Sequence, residues 1–223
     1  MLGVLVNAAA ILVGSLLGII VKKIINDKIK TVISQAIGLS VLCVGITDII
    51  KVESLLALVL SFAFGGLIGS LIGIGKRLDG FGDFLKNKIS PNSDSPIGEA
   101  FITASLIFCV GGMVVYGSIN AGLGNNETLF IKSIMDGFTS LVLATTLGWG
   151  VMLSAIPIII IQGLFALFAS ALLPIATPEF INQISAIGGA MVFAIGINLL
   201  GIKKINVADL LPSIFGAFLI FIL

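Results

Sequence analysis

The apolar residues of this chain fall into eight long runs, at positions 2–21, 32–50, 54–75, 97–119, 129–147, 150–173, 184–200 and 207–223, parted by short polar stretches. An α-helix needs about 20 such residues to cross about 30 Å of hydrocarbon. Lipid offers the backbone no partners, and the runs lack the alternation of barrel strands. The pattern therefore predicts an all-α polytopic membrane protein with eight transmembrane helices, one domain over 1–223. Only Gly148, Trp149 and Gly150 separate the fifth and sixth runs, so a seven-helix alternative, with that stretch one long or re-entrant element, stands beside it. In the longest polar stretch, 76–98, Leu78, Phe81, Phe84 or Leu85 and Ile89 recur at helical spacing beside Lys86 and Lys88. That reads as a short interfacial helix or as a solvated loop interrupted by Gly80 and Gly82. Ser95 and Pro96 read as the cap and first residue of the fourth helix.

The pattern also repeats. Residues 33–72 return at 184–223 with a constant offset of 151 and no gap, and ten of the forty aligned positions are identical, three of them glycines (Gly38, Gly45 and Gly65, matched by Gly189, Gly196 and Gly216). A weaker match pairs 3–11 with 150–158, so the unit is three helices long.

Charge sets the direction of the two copies. With the first loop in the cytoplasm, ten basic residues fall inside and only Lys51 and Lys132 outside, as the positive-inside rule demands. Both termini are then outside, and the helices that open the two units run in opposite directions. The expected arrangement is an inverted-topology 3+2+3 repeat: 1–75 as the first three helices, 76–98 as a cytoplasmic loop, 97–147 as two linking helices and 150–223 as the second unit.

Composition narrows the class. The chain is 58% hydrophobic and 10% charged, with mean hydropathy +1.23, far from the soluble norm of roughly a quarter charged. A net charge of +1 makes no case for nucleic acid, and histidine is absent. Cys43 and Cys109 lie in apolar runs and read as buried small side chains, not as a metal or disulfide pair. Ala8, Ala9 and Ala10 imitate a signal-peptide cleavage box, but no basic residue precedes the apolar run, so the segment reads as a retained first helix.

Several spaced motifs carry a family resemblance: Gly3, Asn7, Ile11 and Gly14; Phe101, Thr103 to Leu106, Phe108, Cys109 and Gly111; Gly117 and Ser118; Lys132, Ser133, Asp136 and Gly137; Gln162 and Gly163; Gly196, Asn198 and Leu200; Leu211 and Pro212. Their order resembles the YdfK/YqgA family of bacterial membrane proteins, catalogued as domain of unknown function 554, over nearly the whole chain. The resemblance implies a multi-pass protein of the bacterial inner membrane, sometimes described as a transporter, with no established substrate.

One acid sits well inside a predicted helix. Asp136 lies about seven residues, roughly 10 Å, from the outer end of helix five. Ser133, Thr139 and Ser140 share its face at i−3, i+3 and i+4, so the face reads as a hydroxyl-lined wall. Intramembrane carboxylates mark proton, cation or ligand sites; the plainer reading is an interfacial Asp held by its neighbours, or by Lys132 in an exposed pair. Asn7 and its repeat partner Ser154, together with Gln162 and Asn198, are further candidates for a polar substrate, with cross-helix hydrogen bonding as the plainer role. Gly111 and Gly112 permit a helix break, and Pro157 removes a backbone bond; together they suggest a site between helices four and six. Small residues at four-residue spacing, Gly14 with Gly18 and Gly65 with Gly69 and Gly73, are packing seams and secondarily a homodimer surface.

These features point to a secondary transporter for a small polar solute or ion, working by rocking of the repeats about helices four and five. A channel-like pore and a non-transporting scaffold or partner protein are the alternatives; the chain lacks a carbonyl-filter motif. No histidine, cysteine cluster, phosphate loop or paired intramembrane carboxylates suggest an enzyme, and no cofactor or metal is called for.

Overall fold

The absence of backbone partners in lipid shows in every element of the computed structural model, which describes residues 1–22, 24, 26–89 and 97–222: among them the regular structure is helical throughout. Helix α1 spans Leu2–Lys22, α2 Asp27–Ile49, α3 Leu55–Ile72, α4 Ile74–Ile89, α5 Ile97–Cys109, α6 Gly112–Gly122 and α7 Glu127–Leu147. The chain continues in α8 (Gly150–Leu153), α9 (Ala155–Leu167), α10 (Ala169–Leu172) and α11 (Pro178–Leu199), and closes with a 3₁₀ helix, Val207–Phe221. Starts are set by side-chain caps. Asn26, Ser54 and Thr177 accept from the backbone N–H groups of Ile29, Ala57 and Phe180, and Pro178 takes the first position of α11, where its missing N–H costs nothing.

Among the described residues six helices, with α8 and α9 taken together as one, are long and apolar enough to cross a membrane, and α5 with α6, bent by 64° at their joint, would make a seventh. Three predicted segments therefore depart from straight α-helices. The run 97–119 is broken at Val110 and Gly111. The run 207–223 is a 3₁₀ helix whose 15 residues, at about 2.0 Å each, extend about 30 Å. The run 150–173 is jointed at Ser154 and Phe168. At Gly148, φ is +77°, a value that glycine adopts without strain, and the turn there makes 127–147 and 150–172 separate helices instead of one long element. The stretch after residue 73 is helical, as one of its two sequence readings held. Phe81 of α4 packs against Phe101 of α5 with ring centroids 5.7 Å apart. The expected cap at Ser95 and Pro96 lies outside the described residues.

Three helix pairs form the body: α1 with α7, α2 with α11, and α3 with the 3₁₀ helix. All three are glycine seams. A Cβ on Gly14 would collide with the carbonyl oxygen of Gly137 and with Ser140 Oγ, and one on Gly65 would collide with Ser213. Across the α2–α11 seam the close approaches are reciprocal. Gly38 faces Leu200 as Gly189 faces Ile49, and Gly45 faces Phe193 as Gly196 faces Leu42, each within 2.7–2.9 Å of an added Cβ. The two described ends of the chain lie together. The Met1 amine donates to Ala121 O at 3.1 Å, Gly122 packs on Ala166 and Ala169, and Phe180, just beyond, stacks with Phe218 and Phe221. The cysteines depart from expectation: Cys43 is exposed on the outer face of the bundle and Cys109 is half-buried, both as free thiols.

The seam predicts a sharp contrast. Gly14→Val should destabilise the protein by about 1–3 kcal/mol or more through overpacking, whereas Gly80→Ala, where an added Cβ meets no atom within 4 Å, should be neutral or mildly stabilising. Thermal midpoints of both variants in detergent check this.

Candidate functional site

Helix α7 carries a cation and an anion one turn apart. Asp136 is the tenth of its twenty-one residues, about 14 Å from the helix start at 1.5 Å per residue. That is half-way along the helix, deeper than the run beginning at 129 suggested. Lys132 Nζ sits 2.9 Å from Asp136 Oδ1 and 2.8 Å from Oδ2. Asn7 Nδ2, delivered by the close α1–α7 seam, donates to Oδ2 at 3.0 Å. Lys132 is 7% exposed, Asp136 6% and Asn7 0%. The exposed Lys132–Asp136 pair considered from sequence is therefore replaced by a buried one, because α1 closes over it.

The expected hydroxyl wall is divided. Ser133 donates to Leu129 O at 2.6 Å, and Ser140 to Ile11 O at 3.2 Å and Gly137 O at 2.8 Å, so both serve the helix backbone and the α1 seam. Thr139 alone of the three joins Asp136 on the wall of a groove of about 310 Å³. This groove runs between α2, the α5–α6 break and α7, with Val192 of α11 at its back. Ile37, Val41, Val110, Val114 and Val142 make it largely apolar; Asp48, Lys132, Asp136 and Thr139 provide its polar points. Exposed Ser40 and Val44 lie along it, so it opens sideways between α2 and α7.

The break supplies free backbone. Val110 N–H closes α5 on Leu106 O and Val114 N–H opens α6 on Gly111 O, while Gly111, at φ +126°, has no side chain to cap the new helix. That conformation favours glycine, and Asp48 Oδ2 lies alongside, 3.8 Å from where a Cβ would stand. Gly112 is required for a different reason, since a Cβ there would strike Ser185 Oγ and come within 2.8 Å of Ile181 O on α11. Asp48 was not legible as a site residue. It pairs with Lys51 at 2.5 Å, three residues on at a helix end, and such a pair reads from sequence as a surface contact.

Other candidates lie elsewhere. Pro157 falls in the first turn of α9, just after the joint at Ser154, where its missing N–H leaves Leu153 O without the bond that would carry α8 on into α9. It does not line the groove, and the cavity expected between helices four and six lies instead against the second, fourth and fifth. Ser154 Oγ donates to Val151 O at 2.6 Å and fastens the α8–α9 joint. Asn198 gives both ends of its amide to Ile205, accepting from its N–H at 2.7 Å and donating to its carbonyl at 2.8 Å, which closes the loop after α11. Gln183, unnoticed in the sequence, does the same for the start of α3 by accepting from the N–H groups of Glu53 and Ser54 and donating to Ser54 O. Gln162 is fully buried in α9, away from the groove lining.

Residues 2–222 match a family model described as "Protein of unknown function (DUF554)". The chain is 33% identical over 219 residues to the uncharacterized membrane protein YdfK of Bacillus subtilis (strain 168), covering 96% of this chain and 93% of that protein. It is 32% identical over 218 residues to the uncharacterized protein YqgA of Escherichia coli (strain K12), with the same coverage. No solved structure matches the chain.

The buried pair generates a measurable coupling. Lys132→Met leaves Asp136 charged without a counter-charge and should cost about 3–5 kcal/mol. Asp136→Leu strands Lys132 in the same way. The double variant Lys132→Met/Asp136→Leu should be closer to wild type than either single change, giving a double-mutant coupling of about 3 kcal/mol or more in unfolding from mixed micelles. An exposed pair would give at most about 1 kcal/mol.

Proposed function

The chain belongs to the protein family described as DUF554, and we propose that within this family of membrane proteins it acts as a secondary transporter of a small polar solute or ion, with the groove at Asp136 as its site. The observation that carries the reading is the placement of the Lys132–Asp136 pair half-way along a membrane-length helix, on the wall of a cavity that also meets a helix break. Charges at such depth are costly and concentrate where ions or substrates pass. Unwound backbone at membrane depth is tolerated where it lines a cavity or is buried in protein.

The chemistry available is an exchange of partners. Lys132 touches both carboxylate oxygens, so a proton or cation arriving at Asp136 frees the ammonium for a polar group of the solute. The N–H groups left uncapped at Gly111 and Gly112 and the carbonyls ending α5 offer further partners beside the aliphatic wall. The wall would take the solute's apolar part.

The reading includes eight crossings, with the bent α5–α6 pair and the 3₁₀ helix each counted as one, and an inverted 3+2+3 repeat. The reciprocal contacts across the α2–α11 seam support it. Gly38 with Leu200 becomes Gly189 with Ile49, and Gly45 with Phe193 becomes Gly196 with Leu42, when each residue is exchanged for its mate 151 positions away, as a two-fold axis between the copies demands. Rocking about such an axis would expose the groove alternately to either side. Both termini, which lie at one end of the bundle, would face the outside of the bacterial inner membrane, as the basic residues suggest.

Two measurements test this. In proteoliposomes screened against small polar metabolites with and without a proton gradient, at least one solute should move, and the Lys132→Met/Asp136→Leu variant, folded, should move it at least about tenfold more slowly; flux unchanged in that variant would remove the site. A phosphatase reporter fused after the last residue should be active and a cytoplasm-only reporter silent; the reverse would overturn the orientation and the even number of crossings.

A further inference from the structure

Away from the groove lining, among α1, α6 and α9, the bundle buries polar atoms that have no partner. Gln162 on α9 is fully buried with neither its Oε1 nor its Nε2 hydrogen-bonded. Asn7 on α1 and Ser118 on α6, also fully buried, leave Oδ1 and Oγ unpaired. The two amides matter most, because a helical serine can turn its hydroxyl onto a carbonyl of the preceding turn and a mid-helix amide has no comparable local outlet. The orientation of Asn7 is fixed by chemistry: its Nδ2 must face the Asp136 carboxylate, so Oδ1 points away.

Helical register brings the three together. Val4, Ala121, Leu129 and Ala166 form one buried apolar cluster near the Met1 end. One turn further in, at i+3 or i−3 or i−4, stand Asn7, Ser118 and Gln162, on helices that pack on one another. The packing next to it is loose, since a Cβ added to buried Gly163, the residue after Gln162, would meet no atom within 4 Å. Buried groups of this kind are regularly completed by a bound molecule, commonly water.

We propose that Asn7, Ser118 and Gln162 form a second, enclosed site for a small uncharged ligand that both donates and accepts hydrogen bonds, with Val4, Ala121, Leu129 and Ala166 as its apolar plug. The orphaned set holds acceptors in Asn7 Oδ1 and Gln162 Oε1, a donor in Gln162 Nε2 and a hydroxyl that serves as either. A cation would leave the donor unmet and an anion the acceptors. The neighbouring charges, Lys132 and Asp136, already satisfy each other. Water fits this description, and so does the hydroxyl or amide of a neutral solute. The site stands whether or not the groove transports, and through Asn7 it touches the carboxylate the groove depends on.

The test is water-edited solid-state NMR of side-chain-amide-labelled protein in lipid, with the Gln162 signal assigned by its loss in Gln162→Met. Transfer from water to the Gln162 amide, comparable to that at exposed Asn87, with no solute added, establishes water as the occupant. A Gln162 signal that loses this transfer on adding glycerol or acetamide, with a thermal midpoint raised in the wild type and not in Gln162→Met, establishes a neutral solute. Stability gives an independent sign: with an occupant, Gln162→Met lowers the midpoint by several degrees. No transfer together with a midpoint raised by Gln162→Met would show a dry layer and overturn the proposal. So would stabilisation by tetramethylammonium or formate in place of the neutral probes.

Discussion

Two opposite charges buried half-way along a helix long enough to cross a membrane have little to rest on except each other, and much of this structure follows from keeping Lys132 and Asp136 in contact. The pair needs cover, which α1 provides by lying against α7 at Gly14 and Gly137. It also needs a further donor for the carboxylate, and that same close approach carries Asn7 within 3.0 Å. A larger residue at Gly14 would push away the helix that does both. The packing seam and the polar site are in this sense one feature seen from two sides.

The arrangement divides the polar chemistry between the two faces of α1 and α7. Charged groups and the helix break face the lateral groove, and the uncharged amides face inward toward α6 and α9. Ser133 and Ser140, which share a helix face with Asp136, are spent on backbone carbonyls, as lipid-buried hydroxyls generally must be. The groove therefore owes its polarity to few groups.

Much of this was legible in the residues. Runs of apolar sequence located every long helix, because length and composition alone decide what lipid tolerates. Asp136 stood out because an acid within such a run is expensive, and Gly111 because paired glycines permit a break. What stayed hidden depended on tertiary contact. Asp48 looked like half of a helix-end ion pair until the bend at Gly111 brought the break alongside it. Asn198 and Gln183 are chemically equivalent to Asn7 on paper, yet they close loops, since the identity of an amide does not say which backbone it will meet. Pro157 read as a helix break and the chain is jointed beside it at Ser154, but which cavity a break lines is again decided by tertiary contact.

The final segment has a consequence of its own. Fifteen residues wound as 3₁₀ extend about 30 Å, but the same residues wound as an α-helix would extend only about 22 Å. The segment can thus match a bilayer's thickness only in its stretched form, and rewinding would draw its end inward by about 8 Å, one and a half helical turns. A thin membrane would favour the short form and a thick one the long. Its length is thus a property of its winding, and the Gly65–Ser213 contact ties that winding to the helix beside it.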